Sequence, residues 1–251
     1  MKKQILPCLL AYLLASPFAQ AVERAPNIIV VFCDDLGYAD IGPFGSKTHA
    51  TPVLDQMAGE GMRLTDFYST CSVCTPSRSS LMTGCYPRRV NMHVDEKNLC
   101  VLFPAARKGL NPSEVTIAEV LKEQDYATMC IGKWHLGDHP DFMPTSQGFD
   151  HYFGIPYSND MNRKQVPLPL VRDLTVIKDS VQQDTTITAQ YTAEAVKFIK
   201  ANSKNPFFLY LPPLSHTHLT LPTIYPEYFS ITALSLRKPQ HNHSNNTAPP
   251  P

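Results

Sequence analysis

The amino-acid sequence predicts an α/β fold built on a mainly parallel sheet, and three observations support this prediction. Residues 25–33, APNIIVVFC, form a continuous β-branched apolar run, which is typical of a strand buried on both faces. Residues 126–131 and 206–211 are two more strand-like runs, and each follows a segment in which apolar residues recur with helical spacing. Strands that alternate with helices favour parallel pairing through crossover connections.

Residues 1–21 have the pattern of a secretory signal peptide. Two lysines precede an apolar run from Ile5 to Leu14, and small residues end the segment at Ala21. The run is too short for a membrane span, and no later stretch is apolar enough to cross a bilayer. We therefore expect a secreted or periplasmic chain that begins near Val22.

The net charge of the chain limits its possible binding partners, and its cysteine content bears on disulfide formation. The chain carries 22 basic and 22 acidic residues, so no net field attracts it to nucleic acid or to an anionic membrane. Six of its seven cysteines lie after the signal segment, and some of them can pair in an oxidising compartment. The spacing does not decide which cysteines pair, but we expect Cys74 to stay free.

Two adjacent carboxylates, Asp34 and Asp35, follow the first apolar run directly. In open α/β sheets ligands collect at the carboxyl ends of the strands, so paired acids at this point suit a hard cation. The alternative is that Asp34 caps a turn and Asp35 is solvated.

The other elements predicted from local patterns are a helix from Pro52 to about Gly61, a strand at 62–68, a helix opened by the capping box Thr116 and Glu119, a loop at 163–180 and a helix at 186–200.

The most specific stretch, CTPSRSSLMTG, runs from Cys74 to Gly84. A proline two residues after the cysteine favours a first helical turn and the glycine ends the helix, so Cys74 is predicted at the helix N-terminus. Free N–H groups and the positive dipole end favour negative charge there, and Arg78 lies on the same helix face. A nucleophile beside an anion site is one interpretation, and a buried structural cysteine is the other.

A lysine and a histidine follow the strand predicted at 126–131. Lys133 and His135 lie two residues apart in GKWHLG, so on an extended segment both point to the same side and can face one ligand. Ordinary surface residues on a loop are the alternative.

These strings resemble the type I, formylglycine-dependent sulfatases of the alkaline phosphatase superfamily, in particular the arylsulfatase A type. The strings PNIIVVFCDDLGYADIGPFG, CTPSR and GKWHLG occur in family order, and the resemblance covers about residues 26–211. It implies an alkaline-phosphatase-like sandwich with a mixed, mainly parallel sheet, and it makes residues 22–211 the N-terminal part of a sulfatase catalytic domain.

The resemblance also implies roles for single residues. Cys74 would be oxidised to formylglycine by a formylglycine-generating (sulfatase-maturing) enzyme, and the hydrated aldehyde would attack the sulfur of a sulfate ester. Judged by residue type alone, Ser158 in GIPYS is a turn hydroxyl and His216 is a solvated histidine. The other implied roles are binding of Ca²⁺ or a similar divalent cation for Asp34, Asp35 and residue 74, sulfate contacts for Arg78, Lys133 and Ser158, a hydrogen bond to the formylglycine for His135, and contact with the leaving oxygen for His216 or, alternatively, His218.

Residues 212–251 lose the family pattern. They mix prolines, asparagines and histidines without a sustained period, which indicates a disordered tail or sequence foreign to the family. The Asp-Asn pair that completes the family's metal site has no counterpart here, so we expect a truncated chain that is a poor enzyme as it stands. Three functions stay open: a sulfatase acting on sulfated glycans or aryl sulfates, a metal-dependent phosphatase or phosphonate hydrolase, and a catalytically inactive fragment or a relic that binds sulfated glycans.

Overall fold

A computed structural model of the chain describes residues 24–161, 166–181 and 184–213. The predicted signal peptide, His216 and His218 lie outside the described residues. The strands are β1 Ile28–Val31, β2 Ala127–Lys133, β3 His151–Ile155, β4 Leu170–Arg172, β5 Thr175–Lys178 and β6 Phe207–Leu211, and the α-helices are α1 Pro52–Glu60, α2 Cys74–Thr83, α3 Ile117–Lys122 and α4 Ile187–Ala201. Single-turn 3-10 helices lie at Tyr38–Asp40, Gly42–Phe44, Pro140–Phe142, Pro144–Ser146 and Asn159–Met161.

The six strands form one mixed sheet, in the order β1-β6-β2-β3-β4-β5. Strands β1, β6, β2 and β3 are parallel, whereas β4 and β5 are antiparallel additions at one edge. The predicted mainly parallel sheet is therefore confirmed. Because the four parallel strands share a direction, their carboxyl ends lie at the same edge of the sheet.

Helices cover the sheet on two sides, as the side chains of the interior strand β6 show. Phe208 and Tyr210 pack in a core cluster that includes residues of helices α2 and α3. Their neighbours Phe207 and Leu209 pack in a second cluster that includes residues of helix α4. Successive side chains of β6 point to opposite faces of the sheet and are buried in the two clusters. Burying each large apolar side chain contributes roughly 1.5–3 kcal/mol to stability, so β6 stabilises both helical layers.

The partial exposure of strand β1 contradicts one prediction. We expected the run at 25–33 to be buried on both faces, but Val31 is 52% exposed and the other residues of β1 are only partly buried. The physical reason is its place in the sheet, because among the described strands β1 pairs only with β6. Apolar composition alone does not distinguish this edge position from a central one.

Two further predictions are wrong. Residues 62–68 form no strand, since they have no strand partner within the described ranges, and Leu64 and Phe67 are 53% and 59% exposed. Residues 163–180 are not a loop throughout, because they contain the β4–β5 hairpin. Asp173 has a φ of 56°, the left-handed conformation that a two-residue hairpin turn requires, although Asp-Leu is a weak turn signal in sequence.

The predicted helices are confirmed at their ends as well as in their interiors. At α3 the backbone N–H of Glu119 donates to Thr116 Oγ1 at 3.2 Å, and that of Thr116 donates to Glu119 Oε2 at 2.7 Å, which completes the capping box. In helix α4, Tyr191 and Phe198 are buried as its spacing predicts. No helix in the part of the chain that the structure describes is long and apolar enough to span a bilayer.

Candidate active site

The carboxyl edge of the parallel strands carries the candidate site. Asp34 follows β1, Lys133 is the last residue of β2 and Ser158 lies shortly after β3. The first turn of helix α2 faces the same edge and supplies Cys74, and Arg78 follows one turn later. The structure therefore brings together five residues that the sequence analysis selected from four separate segments.

Helix α2 begins where its sequence predicts. Val73 is the N-cap with an extended backbone, and Pro76 falls in the first turn, where a missing N–H has no helical acceptor to lose. Gly84 ends the helix with a φ of 67°, and its N–H donates to the carbonyl of Ser80 at 2.8 Å. Cys74 is thus held at the end of a fixed helix.

Asp34 is the centre of the charge network. Its Oδ1 accepts a hydrogen bond from Arg78 Nη2 at 3.0 Å, and its Oδ2 accepts one from Lys133 Nζ at 2.7 Å. Both cationic side chains are fully buried. Burial raises the pKa of the Asp34 carboxyl, but the two cations lower it more, so this pKa lies below its usual value and the group is ionised.

Arg78 is held from several directions. Its Nη1 donates to the carbonyl of Lys133 at 2.7 Å and to the hydroxyl of Tyr210 at 3.3 Å. The guanidinium lies 5.4 Å from the ring centroid of Phe32, within the range of a cation–π contact. Neither aromatic residue was predicted from the sequence. A tyrosine near the carboxyl end of a strand that is otherwise apolar was the available signal for Tyr210.

Lys133 links the charge network to the cysteine. Besides Asp34, its Nζ lies 3.1 Å from Cys74 Sγ and 3.1 Å from Ser158 Oγ, so its three partners match the three N–H donors of an ammonium group. Gly132 directly before it has a φ of 125°, and a Cβ there would overlap the carbonyl oxygen of Pro212. Glycine at this position allows β2 to deliver the lysine.

His135 departs from the extended geometry on which its prediction depended. Its φ is 63°, so the segment turns before the histidine, and its Nε2 lies 2.9 Å from the carbonyl oxygen of Leu102. Its Nδ1 is buried and has no hydrogen-bond partner among the described residues. Burial, and then the positive charge of Lys133, lower the pKa of His135 to about 3. The ring is therefore neutral at physiological pH.

This lowered pKa predicts acid sensitivity. The folded chain has a His135 pKa of about 3 and the unfolded chain has the ordinary value of 6.5, so between these values only the unfolded chain binds the proton. The free energy of unfolding then falls as the pH falls, by about 2 kcal/mol between pH 7 and pH 5. Urea unfolding of the wild type and of His135→Gln at both pH values measures this change in the free energy of unfolding.

The glutamine variant is expected to lose less stability between pH 7 and pH 5 than the wild type. His139→Gln is the matched control, because the side chain of His139 is 60% exposed. Parallel pH curves for the wild type and His135→Gln would contradict the assignment.

The described residues do not form a complete metal site as they lie. Asp35 is exposed and has a φ of 53°, and both oxygens of Asp34 already accept hydrogen bonds from Lys133 and Arg78. No group of three or more His, Cys, Asp or Glu side chains able to hold an ion occurs in the described ranges. A calcium ion takes about six to eight oxygen ligands, which exceeds what two carboxylates provide.

The charge distribution suits an anionic ligand next to a reactive group. Two buried cations, Arg78 and Lys133, face one carboxylate, and the N-terminus of helix α2 adds partial positive charge beside Cys74. Donors fixed in advance stabilise negative charge that develops at a reacting atom, and they do so most strongly where water is excluded.

The chain is similar to a known protein family and to individual relatives. The sequence model of the family described as Sulfatase matches residues 26–245 of the chain. Arylsulfatase A of Homo sapiens is 41% identical over 229 residues, covering 82% of this chain and 44% of that protein. Arylsulfatase G of Mus musculus is 36% identical over 248 residues, covering 85% of this chain and 46% of that protein. The chain thus spans less than half the length of these relatives.

A solved structure is similar in fold. The crystal structure of Ps i-CgsB in complex with k-i-k-neocarrahexaose superposes with a TM-score of 0.66 and 32% sequence identity, covering 78% of this chain and 46% of that chain.

Proposed function

The chain belongs to the sulfatase family, and from this premise we propose that it is the N-terminal part of the catalytic domain of an enzyme that hydrolyses sulfate esters. One observation carries the proposal: Cys74 Sγ lies 3.1 Å from Lys133 Nζ at the start of helix α2, one helical turn from the buried Arg78. This is the arrangement that a nucleophile for an anionic ester needs.

The proposed nucleophile is a formylglycine made from Cys74 by a formylglycine-generating enzyme. When present, this group supplies a hydrated aldehyde whose oxygen attacks the sulfur of the ester. The half-buried position of Cys74 at a helix N-terminus supports it, because the surrounding donors can hold a polar oxygen in place of sulfur.

Lys133 and Arg78 supply the fixed positive charge. Negative charge grows on the leaving oxygen as the S–O bond breaks, and buried cations beside the nucleophile lower the energy of that state. Lys133 contacts the cysteine directly at 3.1 Å, and Arg78 lies in the same network through Asp34 at 3.0 Å. Ser158 contributes a hydroxyl beside Lys133, which supports a contact with the sulfate.

Two histidines have proposed roles in the reaction. His135 orients the nucleophile and helps to expel sulfate, and His216 protonates the leaving alcohol. The ring of His135 is neutral and its Nδ1 has no partner among the described residues, which supports the first role through a hydrogen bond from the nucleophile to Nδ1. The second role depends on sequence resemblance, since His216 lies outside the described residues.

The proposed metal is Ca²⁺ or a similar divalent cation, with Asp34, Asp35 and residue 74 among its ligands. Adjacent carboxylates support a hard cation. The described ranges contain no group of three or more His, Cys, Asp or Glu side chains able to hold an ion, so the remaining ligands would come from outside them.

The proposed substrate is a sulfated glycan, or otherwise an aryl sulfate. A glycan is supported by the similar crystal structure of Ps i-CgsB in complex with k-i-k-neocarrahexaose, and an aryl sulfate is supported by relatives named arylsulfatase. The signal-like pattern of residues 1–21 supports a secreted or periplasmic location.

An inactive fragment is the second candidate function. It is favoured by the incomplete metal site and by the edge position of the apolar strand β1 within the described part of the chain. An unpaired, apolar strand edge also favours aggregation.

Turnover of nitrophenyl sulfate tests the proposal. We define the extended protein as this chain followed by the C-terminal half that its relatives possess, and we expect it to hydrolyse nitrophenyl sulfate at least ten times faster than nitrophenyl phosphate. The 251-residue chain alone should be slow by comparison, because its described residues leave the metal site incomplete. Faster turnover of the phosphate by the extended protein would favour a phosphatase instead.

A further inference from the structure

A threonine next to the cysteine connects helix α2 to the histidine. Thr75 is 2% exposed, and its Oγ1 donates to the carbonyl of His135 at 3.0 Å while accepting from the N–H of Leu102 at 3.1 Å. A hydroxyl has one hydrogen to donate, and Thr75 donates it to the carbonyl of His135. The oxygen of the same hydroxyl accepts from the N–H of Leu102. Both partners are distant in sequence, which makes this contact a tertiary link.

Leu102 also contacts the His135 ring, which closes the network. Its carbonyl oxygen lies 2.9 Å from His135 Nε2, and a carbonyl can only accept, so Nε2 carries the ring proton. In a neutral imidazole the other nitrogen is then an acceptor. This nitrogen, Nδ1, is buried and unpartnered among the described residues.

We propose that Thr75 is a positioning residue that holds His135 in the Nε2–H tautomer, which leaves Nδ1 free as an acceptor. The carbonyl oxygen of Leu102 accepts a hydrogen bond from the His135 ring, and the N–H of the same residue donates to Thr75 Oγ1. Any shift of Leu102 therefore moves the ring's hydrogen-bond acceptor. The second hydrogen bond of Thr75 fixes the backbone of His135, whose φ of 63° is uncommon for a residue other than glycine.

The catalytic consequence of this network rests on the proposed function, whereas the tautomer itself does not. If Nδ1 of His135 accepts a hydrogen bond from the nucleophile during turnover, a ring that exchanges between tautomers spends part of its time with Nδ1 blocked. A purely structural threonine would instead affect folding and leave the ring proton in place.

Long-range ¹H–¹⁵N NMR of the histidine-labelled 251-residue chain tests the tautomer directly. The wild-type protein should show His135, identified by the loss of its signals in His135→Gln, as a single Nε2–H tautomer at neutral pH. Thr75→Val, which keeps the shape of the side chain and removes the hydroxyl, should show a mixture of tautomers. Thr75→Ser should restore the single tautomer.

Thr83→Val is the matched control, because the Thr83 hydroxyl donates to Ser79 in the same helix at 2.7 Å and has no link to His135. It should leave the tautomer unchanged. A wild-type ring with its proton on Nδ1 would overturn the proposal without any variant. A single Nε2–H tautomer in a folded Thr75→Val protein would overturn it as well.

Turnover by the extended protein supplies the second readout, normalised to the formylglycine content of each preparation. Thr75→Val should lower kcat by about tenfold to a hundredfold, the size of effect that small misplacements of catalytic groups produce, with KM little changed. Thr75→Ser should recover most of this loss. A wild-type kcat in Thr75→Val would refute the positioning role, whereas absence of activity in the wild type would instead refute the proposed function.

Discussion

Replacement of Cys74 by alanine should lower kcat for nitrophenyl sulfate by about 10⁶-fold in the extended protein, the loss that removal of a nucleophile causes in other hydrolases. The side chain supplies the attacking atom, and the group nearest to it cannot replace it. Lys133, whose Nζ lies 3.1 Å from the sulfur, carries a positive charge and has no lone pair to donate. The measurement is steady-state turnover of purified, folded protein.

Cys100→Ala is the control for loss of a thiol, since Cys100 is exposed. It should retain wild-type turnover within about twofold, because surface changes of this kind shift energies by only about 0.5 kcal/mol. Hydrolysis by Cys74→Ala within tenfold of the wild type would mean that another group attacks the ester.

Replacement of Asp34 by asparagine should lower the free energy of unfolding by about 3–5 kcal/mol, the range for a buried ion pair that loses one partner. The asparagine leaves Arg78 and Lys133, both fully buried, without the carboxylate that each contacts. An amide oxygen still accepts a hydrogen bond, but it carries no net charge. Urea unfolding at neutral pH gives the difference directly.

Asp35→Asn is the matched control on the adjacent residue. Asp35 is exposed and its φ of 53° suits asparagine as well as aspartate, so the change should stay within about 0.5 kcal/mol. Equal stability of the two variants would show that Asp34 is not the electrostatic centre of the site.

Helix α2 and its residues were predictable because the information is local. Pro76 and Gly84 set the two ends of the helix, and the spacing of four residues places Cys74 and Arg78 on one face. Asp34 was predictable from its position directly after an apolar run in the sequence. These contacts follow from the general rule that parallel strands deliver their last residues to one edge of the sheet.

The rest depends on long-range contacts that no local pattern encodes. The local sequence does not establish Tyr210 or Thr75 as a site residue. Their roles come from contacts in the folded chain, Tyr210 with Arg78 and Thr75 with His135. The left-handed backbone of His135 ends the extended geometry assumed for GKWHLG. The edge position of β1 reflects which strands pair with it, and an apolar sequence is compatible with either position.

Peptide mass spectrometry of residue 74 tests the central claim most directly. Trypsin cleaves after Arg63 and Arg78, so one peptide carries both Cys74 and Cys71, and the latter is an internal control. When the chain is produced together with a formylglycine-generating enzyme, we expect the sulfur of residue 74 to be lost and an aldehyde to be formed, with the thiol of Cys71 intact. Two intact thiols in every such preparation would contradict the assignment of Cys74 as the precursor of the nucleophile.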